Sequence, residues 1–203
     1  MATRQPFPAE TFEELPTPEE AVARALAALI PPLMARMGLE SSRHLERVAK
    51  LAVRVGERIG FPDLRGLALG AVLHDAGKLL LPPTLLDKPG PLSDDEWKTV
   101  RDHPKAGHAL FVQVPHVPQT ALNVILYHHE RLDGSGYPFG LRGSAIPQEA
   151  RIFAVVDVWD ALVHARPYKP AWPEAKARDA LLAQAGSQLD AHAVQALLAV
   201  LEE

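Results

Sequence analysis

Residues 64–75 read LRGLALGAVLHD, and the fold turns on this stretch. From Leu64 to Leu73 it is apolar almost all the way round a helical wheel, which predicts a helix enclosed by other elements. Its polar exit, His74-Asp75, ends the most hydrophobic helix of the chain. Just upstream, the run from Ser42 to Ile59 places Leu45, Val48, Ala52, Val55 and Ile59 at steps of three and four. That is an amphipathic helix, stopped by Gly60 and Pro62. Downstream, Ser93 to Glu96 forms a capping box ahead of Trp97 and Val100. Pro118 opens a helix carrying Leu122, Ile125 and Leu126, and Pro147 opens another carrying Ile152, Val155, Val156, Trp159 and Leu162. Shorter helices are expected near 174–185 and 191–201. Thr17-Pro18-Glu19-Glu20 marks an earlier helix start. No run alternates long enough to nominate a sheet, so the expected class is an all-α bundle.

A chain of 203 residues is long enough for one well-buried core and too short for two large domains. We expect a flexible arm over 1–16, a helical extension over 17–39, and a single catalytic domain over 40–203. Hydrophobic residues make up 47% of the chain and aromatic residues only 6%, which favours a Leu, Ala and Val core over an aromatic stacking surface. A formal charge of −4 argues against a partner that is a nucleic acid polymer. The absence of cysteine excludes disulfides and thiolate metal sites and suits a cytoplasmic setting. The start, MATRQPFPAETFEELP, lacks a signal-peptide core. The most apolar early stretch, 21–37, is broken by Arg24, Pro31, Pro32 and Arg36, so no membrane span is expected there.

The nine histidines are unequal. His74-Asp75 reads either as a helix-end capping pair or as metal ligands. His128-His129-Glu130 ends another apolar helix, and two adjacent imidazoles have no ordinary packing purpose there. Glu40 and His44 are four apart, on one face if their helix begins early enough. Asp157 and Asp160 are three apart on an apolar helix. They would repel unless a cation lies between them, the alternative being an ion pair with Arg or Lys. His103, just before Pro104, is expected at a turn. His108, His116 and His192 lack such neighbours and read as surface or helix-face residues. Together the candidates form a nitrogen and oxygen ligand set without sulfur, suited to iron or manganese ahead of zinc, nickel or magnesium.

His74-Asp75-Ala76-Gly77-Lys78 resembles the signature of the HD phosphohydrolase superfamily, and His128 to Pro138 (HHERLDGSGYP) resembles the extended signature of its HD-GYP branch. The likeness continues through Lys88 to Leu92, His103-Pro104, Ile146-Pro147, Asp157 to Leu162 and Arg166-Pro167-Tyr168, about residues 40 to 195. It implies an HD-domain helical bundle with a Gly-rich loop near a multinuclear metal site, hydrolysing cyclic di-GMP to pGpG, GMP or both. It makes His44, His74, Asp75 and Asp157 ligands of one metal, and Asp75, His103, His128 and His129 ligands of a second, with Asp75 shared. Glu40 and Asp160 stand where some members hold a third. Two or three divalent ions, most often iron or manganese, are therefore expected.

By the same resemblance Lys78 contacts phosphate, the alternative being a surface lysine, and Arg166 and Lys169 grip substrate phosphate, the alternative being a solvated basic turn. Tyr137 stacks on or hydrogen-bonds to substrate, unless the Gly-Tyr-Pro segment is purely structural. Asp75 and Asp160 are taken as the catalytic carboxylates; no side chain stands out as proton donor to the leaving oxygen, for which Asp160 and a metal-bound water are the two candidates. A GGDEF-type partner at the Gly-rich loop and a homodimer complete the expectations. Leu132, where tryptophan is common, and His164, where a small or acidic residue is usual, are departures outside the metal positions. The competing readings are an HD-type hydrolase of another nucleotide and a non-catalytic sensor or docking module.

Overall fold

The computed structural model describes residues 42–86, 88–165 and 170–203, with the isolated positions 25 and 28. Expectations for 1–16 and 17–39, for Glu40, and for Arg166 and Lys169 fall outside the described residues. Nine α-helices run in order among them: α1 Ser42–Ile59, α2 Leu64–Leu73, α3 Pro83–Leu86, α4 Asp94–Arg101, α5 His103–Phe111, α6 Gln119–Tyr127, α7 Gln148–Val163, α8 Glu174–Gln184 and α9 Ala191–Val200. A 3-10 turn, Ala76–Leu80, follows α2, and another, Gly143–Ala145, precedes α7. Among the described residues the only β pairing is two isolated bridges, Asp133 with Arg142 and Ala185 with Leu189. The protein is all-α.

The predicted stripe of α1 is the buried one: Leu45, Val48, Ala52 and Val55 are enclosed, and Ile59 packs at the edge. Asp63 caps α2 by accepting from the Gly66 amide at 2.8 Å, a bond whose loss typically costs about 1 kcal/mol. Helix α2 is enclosed by α1 and α6, as its all-round apolar sequence requires. The capping box at Ser93 and Glu96 is fully formed. His103 differs from its expected place, because α5 starts on it and Pro104 takes a first-turn position where a missing N–H costs nothing.

Two apolar clusters result. One joins Val48, Ala52, Leu67, Phe153, Val156 and the inner faces of α8 and α9. The other joins Leu45, Leu73, Ala76, Phe111, Leu122 and Ile125. His74 follows Leu73 of the second cluster, and its ring lies 4.9 Å from that of Phe153 in the first. The buried imidazoles therefore sit at the seam between the clusters. Gly77 brings the other side in: a Cβ there would collide with the His103 carbonyl oxygen and the Gly107 amide, so only glycine lets the turn after α2 lie directly on α5.

Candidate metal centre

Five elements deliver side chains to this seam. His44 comes from α1, His74 and Asp75 from the end of α2, His103 from the start of α5, His128 and His129 from the end of α6, and Asp157 from α7. They form two groups, Asp75 with His103, His128 and His129, and His44 with His74 and Asp157. In each, one ligand atom per residue lies within 4.8 Å of all the others. His74, His103 and His128 are at most 1% exposed.

The ring protons can be assigned from the partners. His74 Nδ1 lies 2.7 Å from the Ala71 carbonyl, His103 Nδ1 2.8 Å from that of Val100, and His128 Nδ1 3.0 Å from that of Ile125. A carbonyl only accepts, so each Nδ1 carries the proton. The Nε2 atoms of His103 and His128 then face each other as bare lone pairs, 3.3 Å apart. Asp75 Oδ1 lies 3.2 Å from the first and 3.9 Å from the second. That oxygen is buried and has no hydrogen-bond partner. Three electron-rich atoms converging in a buried space repel one another unless a cation lies among them. The donor set fits a metal ion, and the cluster as a whole could hold several.

Asp75 faces both groups. Its Oδ2 accepts from Lys78 Nζ at 2.6 Å and lies 3.3 Å from His74 Nε2. Burial opposes ionisation of Asp75, but the Lys78 and His74 charges and the neighbouring imidazole contacts outweigh it, holding the carboxyl well below its usual range. Burial likewise opposes a charged His74, yet the Asp75 and Asp157 carboxylates raise its pKa, so the field there favours positive charge. Burial, reinforced by neighbouring imidazoles, pushes His128 and His129 well below the ordinary value and keeps both rings neutral. Neutral imidazole is the metal-ligating form.

Residues 134–143 wall one side. The Tyr137 ring lies 4.5 Å from that of His129 at a 30° tilt, and the Tyr137 amide donates to the His129 carbonyl. The guanidinium of Arg101 sits over the outer face of Tyr137 at 5.6 Å. Glu130, 2% exposed, pins the segment by accepting from the Phe139 and Leu141 amides at 2.7 and 2.9 Å. Glu130 was visible in the sequence only as the third letter of a motif. Its partners, nine and eleven residues on, are backbone amides that leave no sequence trace.

Asp160 lies outside both groups. Its carboxylate accepts from Arg47 Nε and Nη2 at 2.7 and 2.9 Å, and its Oδ2 is 2.6 Å from His44 Nδ1. Burial opposes its ionisation, but the Arg47 and His44 hydrogen bonds outweigh that and hold the carboxyl far below its usual range. The ion pair with arginine, weighed above for Asp157 and Asp160 together, applies to Asp160. Arg47 carries no signal in the sequence, because an arginine on the polar face of an amphipathic helix looks like any solvated cation.

Residues 22–193 match the HD domain family. The chain is 45% identical over 167 residues, 78% of its own length and 43% of the relative's, to the cyclic di-GMP phosphodiesterase response regulator RpfG of Xanthomonas campestris pv. campestris. It is 35% identical over 162 residues, 78% of this chain and 31% of the relative, to the 3'3'-cGAMP-specific phosphodiesterase 2 of Vibrio cholerae. It thus spans less than half the length of either relative. Among solved structures, Bd1817, an HDG"Y"P protein from Bdellovibrio bacteriovorus, superposes with a TM-score of 0.65 at 24% identity over 91% of this chain and 62% of that one. At that identity the likeness concerns the fold.

Proposed function

The chain belongs to the HD domain family, and from that premise we propose that it is a metal-dependent phosphodiesterase acting on cyclic di-GMP and releasing pGpG, GMP or both. The observation that carries this reading is the buried convergence of the His103 and His128 Nε2 lone pairs on the unpartnered Asp75 oxygen. His103, His128, His129 and Asp75 would hold one metal, and His44, His74 and Asp157 a second, with Asp75 placed to serve both. Nitrogen and oxygen donors without sulfur favour iron or manganese. Such paired ions activate water for in-line attack and neutralise charge on phosphoryl oxygens.

The chain's own groups supply the rest. Lys78 reaches Asp75 from the turn after α2 with its ammonium partly exposed, so it can turn to an incoming phosphate. Tyr137 offers an aromatic face and a hydroxyl beside His129, and its pKa, pushed up by burial and by the Asp75 and Asp157 charges, keeps it a hydrogen-bond donor. Arg166 and Lys169, by the family resemblance, would add further phosphate contacts. Phe153 and the aliphatic seam keep bulk water from the rear of the site.

The test is anaerobic purification, loading with iron or manganese, and incubation with cyclic di-GMP and, separately, 3'3'-cGAMP, alongside Asp75→Ala. Production of pGpG or GMP by wild type alone supports the reading. Turnover confined to 3'3'-cGAMP would move the substrate to the mixed dinucleotide while keeping the reaction. Absence of turnover by a folded, metal-loaded protein would sink the enzyme assignment in favour of a dinucleotide sensor.

A further inference from the structure

We propose that Asp160, clamped by Arg47, is a positioning residue for His44 and not a ligand of a third metal; the proposal rests on the metal-centre reading above. His44 Nδ1 faces Asp160 Oδ2 at 2.6 Å, and a carboxylate held by both prongs of the Arg47 guanidinium accepts, so the imidazole proton sits on Nδ1. The bare Nε2 then points to the other side, where Asp157 Oδ1 lies 3.8 Å away and His74 completes the group. Asp157 and Asp160 are thus divided by one turn of α7. The first joins the ligand group, and the second holds an imidazole of that group from behind.

The carboxylate has little left to offer an ion. A carboxylate presents about four lone-pair directions. Arg47 Nε takes one on Oδ1, and Arg47 Nη2 and His44 take two on Oδ2, while His164 Nδ1, hydrogen-bonded to the Asp160 backbone carbonyl, stands 3.1 Å from Oδ1. Asp160 is 3% exposed, so these partners have replaced water. The guanidinium, three residues after His44 on α1, grips the carboxylate with both prongs of a planar fork. It supplies the positive charge that an ion bound to Asp160 would otherwise bring. A carboxylate behind a ligating imidazole fixes its tautomer and orientation, and loss of such a partner typically costs 10–100-fold in metal affinity.

The experiment loads wild type, Asp160→Asn and Arg47→Lys with manganese, counts ions per chain by elemental analysis, and titrates each with a chelator. Nitrogen-15 spectra of the metal-free proteins report the His44 tautomer, and thermal melting reports folding. Two ions per chain in wild type are expected, one for each ligand group. Asp160→Asn should weaken one of them by roughly 10–100-fold and erase the His44 Nδ1–H signature. Arg47→Lys, which keeps the charge and loses the fork, should shift the same ion less and remains informative if Asp160→Asn fails to fold. Three ions in wild type falling to two in Asp160→Asn, the rest unchanged in affinity, would make Asp160 a direct ligand and overturn the proposal. Unchanged affinities and tautomer in both variants would overturn it as well, while leaving the metal centre intact. No bound ion in wild type would overturn the metal-centre reading itself, and this proposal with it.

Discussion

In the group of Asp75, His103, His128 and His129, two imidazoles are steered by backbone carbonyls three or four residues behind them. In the group of His44, His74 and Asp157, the Ala71 carbonyl steers His74 in the same local way, but His44 is steered by a carboxylate 116 residues away. The first arrangement forms as soon as the local turn does. The second exists only when α1 and α7 have docked, and it depends on a side chain that any point substitution can remove. Two halves of one centre therefore differ in robustness. The half steered by local backbone geometry alone tolerates change elsewhere, and the half that holds His44 through a long-range carboxylate reports on the docking of α1 and α7.

The widest break in this contrast would come at the residue that faces both groups. Asp75→Asn should reduce turnover by more than the roughly 100-fold typical of an outer-shell partner and lower the metal content of both groups. Assay and elemental analysis of the same preparation check this, and loss of metal from one group only would mean that Asp75 is not shared. Acid should come next. His128 and His129 have folded pKa values well below the ordinary one of about 6.5. The unfolded chain therefore binds more protons, and stability present above that pH is lost as pH falls through the folded values. His74, shifted upward, works in the opposite direction. Urea unfolding of metal-free protein should show lower stability at pH 5.5 than at pH 7.5, and an equal or greater value at the lower pH would show that His74 dominates.

Glu130→Gln sharpens the contrast within one group. It weakens two amide bonds to a buried carboxylate, at a cost of about 1–2 kcal/mol, and frees Tyr137 from His129 while leaving the His44 side untouched. Faster amide exchange at Phe139 and Leu141 is the expected readout. The smallest effect belongs to a pair of contacts that serves neither group. Glu203 accepts from Arg54 and Arg58 on the surface, and Glu203→Gln should change stability by only about 0.2–1 kcal/mol with no change in metal content.

Much of this was legible in the sequence, for identifiable reasons. Leu45, Val48, Ala52 and Val55 recur with the helical period because one face of α1 must be buried, and periodicity records burial directly. His74, Asp75, His128 and His129 stood out beside apolar helix ends, His44 and Asp157 by helical spacing to a second acid, and His103 before a proline; the family resemblance joined them, and the fold brings all seven to one seam. The departures have a common cause. Arg47 and Glu130 act through partners distant in sequence or through backbone amides, and the letters alone carry neither kind of information. Asp160 shares the helical spacing of Asp157 yet serves a different neighbour, because one turn of α7 carries it past the ligand group to Arg47. Spacing tells which residues share a face; the partner across that face decides what they do.

The contact at Gly77 bears on how such a protein can change. No ligand is altered when a methyl group is added there, yet the added carbon would wedge the turn carrying Asp75 away from the helix carrying His103. Metal–ligand distances tolerate errors of only about 0.2 Å, far less than that wedge demands. The missing methyl acts as a spacer gauge, setting the bore of the centre from a position that chemistry never touches. A lineage could detune its catalyst at this hydrogen atom while every ligand in its alignment still looked intact.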